Sequence, residues 1–352
     1  MPVVGDDGEQ PRSGGPEGDS MTIESSPPRE AALVLPPTVE GLAATPVLWA
    51  TRLSVGAAGT ALLVSLLAPG FVQRYGALVL AVGLLVGLPH GAVDHLVPGW
   101  AGARAGGTRL AAMLVGYLAV AALAFAVLWL WPAPALVAFL LVSAAHFGTG
   151  EVQFAALRRD ERPRSEPVVA AAFGTVAALL PLVRWPHEVA PVLAALVPGS
   201  TGVLPAWVCT AALTAITVLV AGGLWQLLRA GRFGDAGELA LLVALFTLAP
   251  PLVAFGVYFG AWHAVRHVAR LLVLDPANRR PLRSSQLGLP VRRFAAAAAA
   301  PTLAALLALA ILWAGARGWQ AFLAADLAVL AALTLPHLAV VAWLDRQLRS
   351  AA

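Results

Sequence analysis

The sequence predicts an all-α protein, a polytopic transmembrane helical bundle of about 8–10 membrane segments. Three observations carry that expectation. Hydrophobic residues fill 59% of the 352 positions and charged residues only 12%, roughly half the charged share of a soluble domain. Mean hydropathy is +0.79. Apolar runs long enough to cross a hydrocarbon core recur along most of the chain, separated by short polar connections.

The segments follow in order. Residues 1–44 are rich in Gly, Pro, Ser, Asp and Glu and read as a disordered tail. No charged leader with a short apolar core opens them, so no cleavable signal is expected. Residues 45–346 read as a single transmembrane helical domain and 347–352 as a short C-terminal tail. The first two apolar runs are 47–69 and 75–97, and Arg104 and Arg109 follow the second. Runs three and four are 108–131 and 133–156, followed by Arg158, Arg159, Arg162 and Arg164. Runs five and six are 167–185 and 205–228, followed by Arg229 and Arg232. Run seven, 236–249, is short, and Pro250-Pro251 separates it from run eight, 251–274. Arg279, Arg280, Arg283, Arg292 and Arg293 come next. Runs nine and ten are 293–314 and 319–344, with Arg346 and Arg349 closing the chain. The other connections hold few arginines. Cytoplasmic loops are the ones enriched in basic residues, so the alternation places both termini in the cytoplasm of a multi-pass cell-membrane protein.

Composition also excludes. All 23 basic residues are arginine. Without a lysine amine, no covalent retinal Schiff base can form, which removes the usual opsins. Cys209 is the single cysteine, so no intrachain disulfide is possible. Arginine-rich loops of this kind suit an anionic lipid face, and no nucleic-acid partner is expected.

Five of the seven histidines lie inside apolar runs: His90, His146, His263, His267 and His337. Intramembrane ionisable groups are costly and mark function. All five fall on even-numbered runs, about 7 to 11 residues before the arginine-rich end, or roughly 10–16 Å at helical rise. A shared depth, with few carboxylates and no thiol beside them, points to a metal centre.

The sharpest local pattern is Trp262-His263-Ala264-Val265-Arg266-His267, where a spacing of four puts two imidazoles on one helix face. They can chelate one ion or line a polar path. No Glu follows the first histidine as in HExxH, which argues against a zincin-type peptidase. In Gly87-Leu88-Pro89-His90-Gly91-Ala92-Val93-Asp94-His95, the proline can kink the helix, and Asp94 sits one turn after His90, placed to hold an imidazole tautomer. His95 and His187 read as interfacial. His146 sits on a small-residue face, with Glu151 five residues on as a partner to the site or an interfacial carboxylate. His337 follows Pro336 and is open to three roles: ligand, donor to a ligand, or packing residue. Glu238 orients a histidine or favours a helix N-terminus. Phe147, Phe255, Tyr258, Phe259 and Trp262 wall a channel for a long apolar substrate or pack the core. An imidazole shell suits Fe(II), Zn(II) or Cu.

Together these stretches resemble the Brp/Blh family of membrane carotenoid dioxygenases. The matching strings are Gly87-Leu-Pro-His-Gly-Ala-Val-Asp94, His146-Phe-Gly148, Ala249-Pro-Pro251 leading to Tyr258-Phe259, His263-Ala-Val-Arg-His267, and Thr334-Leu-Pro-His337. The resemblance implies central 15,15′ cleavage of β-carotene by O₂ to two all-trans-retinal, within the lipid bilayer, at an Fe(II) held by His90, His146, His263 and His267. It places His337 near the site but outside the ligand set. Glu151 departs from the pattern, where an Asp is more usual. Two other readings compete: a di-iron lipid hydroxylase, which wants about eight clustered histidines, and a metal or proton transporter, which wants polar residues through both membrane halves.

Overall fold

The structure is a computed structural model of the chain, and it describes residues 44–100, 107–161, 164–316 and 319–350. The tail expected over residues 1–44 lies almost wholly outside the described residues. Among the described residues every regular element is helical. Seven helical stretches among the described residues are long and apolar enough to cross a membrane.

In chain order the main helices are α1 (Ala44–Leu67), α2 (Pro69–Gly87), α3 (Gly107–Leu130), α4 (Pro132–Arg158), α5 (Pro167–Ala178) and α6 (Pro186–Leu196). There follow α7 (Ala206–Arg229), α8 (Phe233–Leu248), α9, α10 (Gly288–Gly315) and α11 (Trp319–Ser350). Helix α9 is composite: Pro251–Val257, a π-turn over Tyr258–His263, then Ala264–Leu274. Each of the ten apolar runs is helical over most of its length. Pro69, Pro132, Pro167, Pro186 and Pro251 stand in the first turns of their helices, where a missing N–H leaves no hydrogen bond unmade.

Two boundaries differ from the sequence expectation. Run two does not stay α-helical to residue 97. Helix α2 ends at Gly87, and the chain continues through 3₁₀ turns Leu88–Gly91 and Asp94–Leu96. Pro89 removes a backbone donor at that point. The last helix runs to Ser350, past the expected boundary at 346. There Asp345 pairs with Arg270 at 2.6 Å and Leu348 is buried, so the polar end is still packed.

Outward faces are apolar. Leu118, Leu123 and Trp129 of α3, Val218 and Trp225 of α7, and Leu303, Leu307 and Ile311 of α10 are all exposed. Such surfaces suit a membrane protein. Inside, Val169, Ala172 and Val176 of α5 pack with Ile216 and Leu227 of α7 and with Leu239, Leu242 and Phe246 of α8. Small residues let the site helices close up. A methyl group at Gly148 would land on the Ala170 carbonyl, and one at Gly174 on the Ala144 carbonyl, so α4 and α5 touch backbone to backbone. Gly83 meets Gly256 and Gly260 in the same way between α2 and α9. Without a hydrophobic force between helices in lipid, this close packing is what holds them together.

Candidate metal centre

The tight helix pairs bring five histidines into one buried cluster. His90 arrives on the 3₁₀ turn after α2, His146 on α4, His263 and His267 on α9, and His337 on α11. All five are at most 9% exposed. Ring centroids lie 5.3 Å apart for His90 and His263, 5.6 Å for His90 and His267, and 5.1 Å for His146 and His263. His337 lies 4.9 Å from His90 and 5.3 Å from both His146 and His267. Among the described residues no three His, Cys, Asp or Glu side chains stand in position to hold a metal ion.

The hydrogen bonds fix which nitrogens face the centre. Nδ1 of His90 donates to the Gly87 carbonyl at 2.5 Å, three residues back on the same turn. Nδ1 of His337 donates to Asp94, at 2.9 Å to Oδ2 and 3.1 Å to Oδ1. Nε2 of His146, His267 and His337 is buried and has no hydrogen-bond partner. A buried unpaired polar atom costs about 1–3 kcal/mol. Three within one cluster fit a transition-metal ion, whose bonds to imidazole nitrogen would satisfy them.

Asp94 thus holds His337, 243 residues away, and not its near neighbour His90. The change from α to 3₁₀ winding after Gly87 takes Asp94 off the expected helical phase. Glu151 and Glu238 are committed elsewhere. Both accept from Arg266 Nη1, at 2.7 and 2.8 Å, and Glu151 also accepts from Trp262 Nε1 at 3.0 Å. Arg266 donates further to Ser54 Oγ at 3.0 Å, and its Cζ lies 3.9 Å from the Trp262 ring centre. A partly buried chain extends this pairing: Arg158 bridges Glu238 and Asp235, while Arg232 joins Asp235 and Glu166.

Three of the five expected channel aromatics face the cluster. The rings of Phe147, Tyr258 and Phe259 lie 4.8, 6.2 and 6.2 Å from His263, and Phe259 also lies 5.4 Å from His90. Phe255 stands one ring further out, stacked on Phe259 at 5.9 Å. Trp262 is turned into the Arg266 group. A groove of about 320 Å³, lined by Leu78, Val79, Val82, Val86, Val257 and Ala261, runs between α2 and α9, one turn from Gly87 and Phe259. His95 bonds its own turn at Ala92 O, and His187 is exposed, so neither joins the cluster.

Sequence reasoning gave no role to Arg266, Arg270, Ser54, Asp345 or Tyr117. An available signal was the pair of arginines spaced by four inside an apolar helix.

The family model described as beta-carotene 15,15'-dioxygenase matches residues 81–345. A probable beta-carotene 15,15'-dioxygenase, Blh, of Halobacterium salinarum is 35% identical over 302 residues, covering 78% of this chain and 85% of that protein. A beta-carotene 15,15'-dioxygenase of uncultured marine bacterium 66A03 is 32% identical over 190 residues, covering 53% of this chain and 66% of its own length. The probable dioxygenase Brp of Halobacterium salinarum is 30% identical over 205 residues, with 53% and 56% covered. No solved structure shows a significant match. By the extent of the family match, the clustered histidines sit in an enzyme that belongs to the beta-carotene 15,15'-dioxygenase family.

Proposed function

We propose that this chain cleaves the central 15,15′ double bond of β-carotene with O₂ and Fe(II), releasing two molecules of all-trans-retinal. The observation that carries the reading is the cluster of five buried imidazoles, three with unpaired Nε2 atoms, walled by aromatic rings. Its relatives' names give the substrate and the bond.

In this reading His90, His146, His263 and His267 hold the ion. When bound, iron supplies the activation of O₂. The chain does the rest. The Gly87 carbonyl holds the His90 tautomer, leaving the other ring nitrogen without a proton. Phe147, Tyr258 and Phe259 exclude water and give the polyene an apolar wall. The apolar groove between α2 and α9 supports access from the bilayer for a long hydrocarbon. Central cleavage then follows from how far the polyene can enter, a matter of position. The double bond breaks and each carbon takes one atom of O₂, so no further reductant is needed. With no lysine in the chain, the aldehyde is not trapped as a Schiff base. The arginine alternation supports placement in the cell membrane with both termini cytoplasmic.

The test is expression in cells that accumulate β-carotene, followed by pigment extraction. Loss of yellow colour, two retinals per carotene and label from ¹⁸O₂ in the aldehydes are expected. Unchanged β-carotene with the protein intact in the membrane would overturn the reading.

A further inference from the structure

The geometry points to His337 as a metal-binding imidazole in its own right, aimed by Asp94. This rests on the iron reading above and extends it, because the ligand set that the resemblance implies leaves His337 out.

Four observations meet at this residue. Its ring neighbours three of the other histidines, at 4.9, 5.3 and 5.3 Å, as central a position as any ring in the cluster has. Its Nδ1 donates to Asp94, and in the neutral ring that contact leaves the lone pair on Nε2. That Nε2 is buried without a partner, which a purely structural His–Asp pair gives no reason for. The surroundings are built to keep the ring in place. Tyr117 reaches from Asp94 Oδ2 at 3.3 Å to the Leu333 carbonyl at 3.4 Å, one turn before His337. Gly91 packs against the imidazole, where a Cβ would stand 3.2 Å from Nδ1. A carboxylate on the far nitrogen of an imidazole is the usual support of a metal-ligating histidine.

The experiment uses full-length protein purified in detergent and loaded anaerobically with Fe(II). Iron affinity is measured by chelator competition, and coordinated imidazoles are counted by pulsed EPR of the nitric oxide adduct. His337→Ala should remove one imidazole from the count, and Asp94→Asn should weaken iron binding about 10–100-fold with the count unchanged. His337→Gln, which keeps most of the side-chain volume, should also lose one imidazole, and melting of the metal-free variants checks folding. A wild-type imidazole count and affinity in folded His337 variants would overturn this inference and leave the iron reading intact. Failure of the wild-type protein to bind iron would overturn both.

Discussion

The rings of His263 and His267 lie 6.3 Å apart and within 20° of parallel, stacked one turn from each other along α9. Two parallel imidazoles on one face are a ready-made chelating pair, and neither can be replaced by a neighbour on the same helix. His263→Ala and His267→Ala should each lower retinal formation in membranes by more than about 100-fold, beyond the loss typical of an outer partner. Product assay with equal protein levels on a blot checks this.

The metal should also show in stability. Chelation of the purified protein should lower its melting temperature, and Fe(II) should restore it. Iron at 100 times its dissociation constant would add about 2.7 kcal/mol. A melting curve that does not respond to chelator or iron would count against a resident ion.

Arg266 is 3% exposed and satisfies two buried carboxylates. Arg266→Met would leave the buried Glu151 without a cation, while Glu238 keeps Arg158, at a cost of about 3–5 kcal/mol. Loss of folded protein in fluorescence-detected size exclusion is expected, well before any defect specific to catalysis. Glu151→Gln keeps one oxygen to accept from Trp262 or Arg266 but sets an amide N–H against the other donor, so it should destabilise too, by less than Arg266→Met because Arg266 keeps Glu238.

Glycines offer a paired test. Gly148→Ala must push α5 off α4, two residues from His146, and should destabilise by about 1–3 kcal/mol while lowering iron content. Gly150→Ala meets nothing within 4 Å and should be silent. Equal behaviour of the two would show that α4 and α5 are not as close as described.

The groove makes a kinetic prediction. Val82→Trp and Val257→Trp fill space between α2 and α9 without touching a histidine. Each should raise KM for β-carotene several-fold with a smaller change in kcat, the pattern of lost uniform binding. Steady-state turnover in mixed micelles reads the split.

Much of this was legible in the chain. Every apolar run is helical over most of its length, because length and hydropathy decide membrane helices with little help from tertiary contacts. Run 251–274 matches the residues of α9 from end to end. The histidines of separate runs do gather, with rings from four elements within about one ring contact of each other. Partnerships were not legible. Asp94 sits at helical spacing from His90 yet bonds His337, since Pro89 changes the winding between them. Arg266 bonds Glu151 and Ser54, 115 and 212 residues away, and no local pattern encodes such choices. Helix α6 lies between runs five and six, and its 11 residues are too few to show as a span.

The π-turn over Tyr258–His263 has its own consequence. A π-turn accommodates one surplus residue within an α-helix. Deleting one residue there would restore regular winding and rotate the preceding stretch by about 100° against the following one. The aromatic wall and the imidazole pair would then point in different directions. That single insertion is what turns the aromatic rings and the imidazole pair of one rod toward the same cluster, and a one-codon deletion would separate the two without altering the composition of either.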